Sequence, residues 1–266
     1  ARVAWLPVDG TGLVDPDDLR RAITADTVLI SVMHANNEVG TIQPVADCAA
    51  IAREHGIPFH TDAAQSVGKL PTRVNDLGVD LLTIAGHKLY APKGVGALYI
   101  RDGVQLEPLI HGAGHEGGRR AGTESALLTA ALGTVCKLAS DLTPMTDVRV
   151  LRDRFWEMLK ERFGDGVVLN GHAELRLPNT LSVSFVGRVG AEILAAVPEI
   201  AASTGSACHA GRIELSPVLE AMGVTPEVGM GAIRFSLGRG TTRAELDSAV
   251  SLLADALTSS STGANA

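Results

Sequence analysis

Three short apolar, β-branched runs lie in the first third of the chain, and each ends in a knot of polar residues. Thr27-Val28-Leu29-Ile30-Ser31-Val32 leads into Met33-His34-Ala35-Asn36-Asn37-Glu38-Val39-Gly40. Ile57-Pro58-Phe59-His60 leads into Thr61-Asp62-Ala63-Ala64-Gln65, and Val79 to Ile84 leads into Ala85-Gly86-His87-Lys88 and a turn rich in Gly and Pro. Runs of this length and composition read as strands, and the punctuation after them as tight loops. Between the first two, Pro44 to His55 places Val45, Cys48, Ala49 and Ala52 at helical spacing, with Gly56 as the C-terminal cap. Strands alternating with helices dictate a mostly parallel sheet covered by helices. In such a sheet the carboxyl ends of the strands share one edge, where ligands collect. Asn37, Asp62 with Gln65, and His87 with Lys88 are therefore expected to converge on one side.

The rest of the chain continues the pattern. Val3 to Val8 reads as an opening strand, and Asp15 as the N-cap of a helix with Pro16 at its first position. Gly96 to Ile100 reads as a strand, followed by a Gly-rich turn from His111 to Glu124 and a helix from about Ser125 to Ser140. Asp141-Leu142-Thr143-Pro144 reads as a hinge, dividing the chain into domains 1–142 and 143–266. Beyond it lie a long amphipathic helix (Val148, Leu151, Phe155, Leu159) and alternating strands at Val167 to Asn170 and Leu181 to Phe185. A helix from Ala191 to Val197, a strand from Ala232 to Leu237 and a last helix from Arg243 to Leu257 follow. The fold class is α/β, with a smaller α+β domain at the C-terminal side.

Composition narrows the function classes. The formal net charge is -7 with no block of lysines and arginines, so no nucleic-acid footprint is expected. No run is long and apolar enough to span a bilayer, and the first residues lack the layout of a signal peptide. Cys48, Cys136 and Cys208 are scattered, without paired spacing for zinc or a disulfide framework. That usage points to a reducing compartment and a cytoplasmic location, with no metal site expected. Opening on Ala and entering strand-like sequence at once, the chain reads as a fragment.

Residue types at the strand exits suggest a chemistry. A partly desolvated lysine such as Lys88 can form a Schiff base with a carbonyl cofactor. Cys208 sits among Gly205, Ser206, Ala207 and Gly211, a segment read as flexible and without bulk to bury the thiol. His209 beside it, when charged, lowers the thiol pKa towards the reactive thiolate. Cys48 and Cys136 fall on apolar helical faces and read as small buried hydrophobes.

Five stretches, in register from the first strand to the last helix, resemble the cysteine desulfurases. They are His60-Thr61-Asp62-Ala63-Ala64-Gln65-Ser66-Val67-Gly68-Lys69, Gly86-His87-Lys88-Leu89-Tyr90-Ala91-Pro92-Lys93-Gly94, Arg120-Ala121-Gly122-Thr123-Glu124, Gly205-Ser206-Ala207-Cys208 and Ile233-Arg234-Phe235-Ser236-Leu237-Gly238-Arg239. These are NifS/IscS-like enzymes of the class-V aminotransferases that use pyridoxal 5'-phosphate (PLP), and selenocysteine lyase is a close relative. The resemblance implies an aspartate-aminotransferase-like, fold type I large domain over 1–142 that binds PLP, and a small domain over 143–266 carrying the cysteine loop. It implies conversion of L-cysteine to L-alanine, with the sulfur left as a persulfide on Cys208. Lys88 would hold PLP and then act as base on the substrate Cα proton. Asp62 would pair with the pyridinium nitrogen and keep the ring an electron sink. Asn37 and Gln65 would bond the ring's phenolic oxygen, His87 and Gly86 would lie on the phosphate side, and Arg234, with Asn37, would hold the substrate carboxylate. Thr123 would reach the neighbouring subunit's phosphate, which implies a homodimer. A sulfur acceptor, such as an iron–sulfur scaffold protein, is the implied partner.

The sequence departs from the family in two places. Ala85 stands where many members place a phosphate-binding serine. The family's N-terminal portion, with its phosphate-binding turn at a helix N-terminus and a ring-stacking histidine, is missing. The expectation is that this chain by itself is inactive or poorly folded unless the missing part is supplied. Selenocysteine lyase is the alternative activity, and an inactive truncated remnant or interaction protein the alternative of another class. Ala207-Cys208-His209 leans towards the lyase, Gly205-Ser206-Ala207-Cys208 towards the desulfurases. His115, Arg119 and Arg120 form a second polar cluster to which no role is assigned.

Overall fold

In the computed structural model, which describes residues 2–209 and 212–259, contacts group the chain into two compact units. The first comprises residues 19–34 and 44–142, the second residues 1–18, 35–43 and 143–266. The chain passes between units at Leu142, where the sequence places its hinge, while 1–18 and 35–43 group with the C-terminal residues.

Helix α1 (Pro16–Ala22) begins where expected, with the Asp15 carboxylate accepting from the Asp17 N–H at 2.8 Å. In the first unit, β1 (Ile30–Ser31), α2 (Val45–Glu54), β2 (Phe59–Asp62), α3 (Val74–Leu77), β3 (Leu81–Ala85) and β4 (Gly96–Ile100) build one sheet in the order β1-β2-β3-β4. β1, β2 and β3 are parallel, so all three exit at the same edge, and β4 returns antiparallel to β3. Phe59 and Thr61 point inward and are fully buried, with α2 contributing Val45, Cys48, Ala49, Ile51 and Ala52 to the core. His60 and Asp62 take the other face by the two-residue period of the strand. The His60 ring bridges the sheet there, its Nδ1 2.8 Å from Ser31 Oγ and its Nε2 2.8 Å from Thr83 Oγ1. Helix α4 (His115–Gly118) is a single turn, and α5 (Ala126–Ala139) starts on the Ser125 hydroxyl as its cap.

The second unit is α+β. α6 (Thr143–Phe163), β5 (Val167–Leu169), β6 (Thr180–Phe185), α7 (Gly190–Ala196) and β7 (Ser203–Thr204) are followed by a two-stranded hairpin, β8 (Ser206–His209) with β9 (Arg212–Leu215). α8 (Pro217–Ala221), α9 (Pro226–Gly229), β10 (Ala232–Ser236) and α10 (Arg243–Ser259) complete it. Its sheet runs β5-β6-β10-β7, antiparallel throughout. Every residue of β6 is buried, as a central strand covered on both faces must be. Phe155 of α6 meets Phe235 of β10 edge-on at 5.1 Å, and Phe163 meets Phe185 at 5.4 Å, which locks the long helix to the sheet.

Three expectations need correction. Val3 to Val8 forms no strand: it has no ladder partner among the described residues, and Trp5 is 88% exposed. Alternating apolar residues make a strand only when a neighbour supplies hydrogen bonds. The Cys208 segment, read as a flexible loop, is a paired strand, with Cys208 opposite Ile213. Cys136 is half-buried rather than buried, on a helix whose inner face is half-covered and of which only Ala139 is buried.

Candidate functional site

Asp62 is the last residue of β2 and pairs in register with Thr83 of β3. Its exposed carboxylate uses Oδ1 to accept the Ala64 N–H at 2.8 Å, which shapes the turn, and Oδ2 has no partner among the described residues. Gln65 follows in that turn with its side-chain amide unbonded among the described residues. From β3 the chain enters a 3-10 turn (Gly86–Leu89) that presents His87 and Lys88, both exposed, so Lys88 is not the partly desolvated lysine the sequence suggests. Gly86 is required there: a Cβ would lie 2.8 Å from the Val95 carbonyl oxygen that accepts the Gly86 N–H. Tyr90 closes the turn with a left-handed φ of 67°, a conformation most residues avoid and one that concentrates at functional loops.

One close approach ties the Lys88 turn to the segment that follows Asp62 and Gln65. Gly68 (φ 73°) packs so closely that a Cβ would come within 2.9 Å of both Leu89 Cδ2 and Ala139 Cβ. Next to it, Lys69 donates from Nζ to the Gln65 carbonyl at 2.9 Å. Burial first, and the Lys88 charge second, push the Lys69 ammonium down to about 8. The two turns follow neighbouring parallel strands, with Asp62 in register with Thr83, so they stand at one edge of the sheet.

Thr123 is exposed in the segment before α5. Nearby, His115 and Arg120 pair as an isolated bridge, the Glu116 N–H donates to Glu124 Oε1 at 3.2 Å, and His115 Nδ1 is buried without a partner among the described residues.

Asn37, Arg234 and Cys208 belong to the second unit. Asn36 folds the loop under Asn37, its Oδ1 accepting from the N–H groups of Glu38 at 2.7 Å and Val39 at 3.0 Å. Arg234 on β10 donates from Nη1 to the Asn37 carbonyl at 2.8 Å and from Nη2 to Ser203 Oγ at 3.0 Å. Its Nε is buried without a partner among the described residues, and these two bonds use one N–H of Nη1 and one of Nη2, so a second N–H on each remains for a ligand. Cys208 lies on β8, and of its flanking residues Gly211 is outside the described ones. Beyond β9, Ser216 caps α8 and donates to Glu38 Oε2 at 2.5 Å, fixing the hairpin's exit to the Asn37 loop.

Sequence reasoning assigned no role to His34, Lys69 or Ser203, which hold these groups. Only Lys69 left a signal: a lysine set between Gly68 and Leu70, inside one of the quoted stretches.

The family model described as aminotransferase class V matches residues 1–248. The chain belongs to the class-V aminotransferases. Within that family it is 46% identical over 258 residues to a cysteine desulfurase IscS of Dictyoglomus turgidum, an overlap of 94% of this chain and 64% of the relative. It is 48% identical over 250 residues to a cysteine desulfurase of Gluconacetobacter diazotrophicus, covering 92% and 62%. Among solved structures, a NifS-like protein superposes with a TM-score of 0.88 at 36% identity, over 97% of this chain and 68% of the other. One from Rickettsia africae gives 0.87 at 28% identity, over 95% and 69%. The fold is thus the fold type I α/β arrangement expected of this class-V member. The chain spans a little under two thirds of the length of the curated relatives it matches. Among the described residues, no single helix is long and apolar enough to cross a membrane.

Proposed function

We propose that this chain carries the reaction edge of a PLP-dependent cysteine desulfurase, acting on L-cysteine in the cytoplasm as a homodimer. The observation that supports the reading is that parallel β2 and β3, with Asp62 in register with Thr83, bring the exits carrying Asp62, Gln65 and Lys88 to one sheet edge, where Asp62 Oδ2 has no partner among the described residues. An amine, a carboxylate and an amide there fit the aldehyde, the ring nitrogen and the phenolic oxygen of PLP. On the phosphate side His87 and Thr123 are exposed, while Ala85 supplies no hydroxyl. When bound, PLP supplies an electron sink for the substrate's Cα electrons.

The chain's own residues divide the remaining work. Lys88 holds the cofactor and moves the Cα proton. Asp62 keeps the ring nitrogen protonated through Oδ2. Arg234, held from behind by the Asn37 carbonyl and Ser203, presents its free N–H pair to the substrate carboxylate, and Asn37 lies beside it. The Cys208 thiolate attacks the substrate sulfur. The bond from that sulfur to Cβ breaks, its electron pair takes up a proton on carbon, alanine leaves, and the sulfur stays on Cys208 as a persulfide. From there it passes to a sulfur-acceptor protein. The relatives are named cysteine desulfurases, which favours sulfur over selenium.

The test is a PLP titration followed by visible absorbance, made on the chain joined to the part of its relatives' length that it does not span. A band that appears in the parent and is absent in Lys88→Ala is expected, with alanine released from cysteine by the parent and by neither Lys88→Ala nor Cys208→Ala. An equal band in Lys88→Ala would overturn the assignment. Faster alanine release from selenocysteine than from cysteine would move the activity to the lyase.

A further inference from the structure

The turn carrying Asp62 and Gln65 is gripped at both ends by one residue, His34, at the exit of β1. Its backbone N–H donates to the Asp62 carbonyl at 2.8 Å, and its ring Nδ1 lies 2.9 Å from Ser66 Oγ. Both partners of the side-chain contact are shut off from water, His34 at 5% exposure and Ser66 at 0%. Between the two grips, the Ala63 carbonyl accepts from the N–H groups of Ser66 and Val67, each at 3.0 Å, and from the Ser66 hydroxyl at 3.3 Å. With one proton to give, the Ser66 hydroxyl either donates to the Ala63 carbonyl and accepts from His34 Nδ1–H or donates to Nδ1, as the imidazole tautomer sets. The neutral ring suffices for that bond, and burial holds the imidazole below its ordinary pKa.

We propose that His34 is a positioning residue: by clamping residues 62–66 at both ends it keeps the Asp62 carboxylate and the Gln65 amide at the reaction edge. The backbone grip fixes where the strand stops, and the ring grip fixes where the turn closes. Asp62 and Gln65 lie between them with side chains unconstrained by other described side chains, so their aim is set by the backbone that His34 holds. Asp62 and Gln65 themselves touch PLP only on the reading given above, on which this inference rests.

Three variants of the full chain test it: His34→Ala, His34→Asn and Ser66→Ala. Asn places an amide that can donate or accept where the imidazole places Nδ1, and Ser66→Ala breaks the same bond without opening a large void. Amide hydrogen exchange over residues 62–68 is expected to speed up about tenfold in His34→Ala and Ser66→Ala, the scale of one buried hydrogen bond. Exchange over β3 should stay within about twofold, and His34→Asn should return the turn to within about threefold of the parent. Affinity for PLP, read from the visible band of the joined chain, should fall and recover in the same order. Unchanged exchange over 62–68 in Ser66→Ala, or equal acceleration over β3, would overturn the clamp. A joined parent chain that forms no band with PLP would count against the functional reading alone, because the exchange result still decides the clamp.

Discussion

Replacing Lys69 by Met removes a charge that the fold pays to bury. In the folded chain the ammonium sits at about 8, against an ordinary 10.5, because it is largely desolvated and faces the charge of Lys88. At 1.36 kcal/mol per unit of pKa, that difference amounts to about 3 kcal/mol against the folded state wherever the ammonium is charged. The direction follows from proton counting. Between pH 8 and 10.5 the unfolded chain holds the Lys69 proton and the folded chain has lost it. Stability due to this group therefore rises with pH across that window and is lowest below it. Met removes the penalty but also the 2.9 Å bond to the Gln65 carbonyl, worth about 1 kcal/mol. At pH 7, Lys69→Met is expected to be the more stable by about 2 kcal/mol, a urea midpoint higher by about 1 M. Near pH 10.5 the order should reverse. Urea unfolding of both proteins at pH 7, 8, 9, 10 and 10.5 measures the crossing, and curves that stay parallel would refute the burial and charge account of Lys69.

Gly68→Ala forces a Cβ to within 2.9 Å of Leu89 and Ala139 at a left-handed φ, and should cost about 2 kcal/mol in unfolding free energy while loosening the Lys88 turn. Phe155→Ala, at a residue 1% exposed and in edge contact with Phe235, should destabilise the second unit by about 3–5 kcal/mol in thermal or urea unfolding. Arg234→Lys can reach the Asn37 carbonyl or Ser203 but not both while still offering a paired donor. In a desulfurase assay KM for cysteine should rise about tenfold with a smaller change in kcat, and a kcat loss without a KM rise would contradict the carboxylate role.

How far the sequence could be read depended on whether the governing interaction was local. The helix starts at Asp15 and Ser125 and the stop at Gly56 were legible, since each rests on a cap within a few residues: Asp15 bonds Asp17, Ser125 bonds Leu128, and Gly56 takes φ 66°. The exits bearing Asp62 and Lys88 were legible because apolar β-branched runs flanked by turn residues leave few alternatives. Val3 to Val8 misled because its pattern carries no sign that a pairing partner is absent among the described residues. The strand at Cys208 escaped notice because Gly, Ser and Ala carry little strand propensity, and its pairing is decided by Arg212 to Leu215 on the neighbouring strand. Candidate site residues were named through resemblance; the residues that hold them, His34, Lys69 and Ser203, could not be, since each acts on a partner's orientation.

The amino-acid order alone determined where helices start and which residues stand at the exits of β2 and β3, because hydrophobic period and caps are short-range facts. Tertiary structure alone decided how those side chains are aimed. The bond from Lys69 to the Gln65 carbonyl, the grip of His34 on Asp62 and Ser66, and the hold of Asn37 and Ser203 on Arg234 join segments by contacts whose geometry no local pattern specifies. Buried polar groups must find partners wherever the packed chain places them, and that search is resolved only once the whole unit has closed.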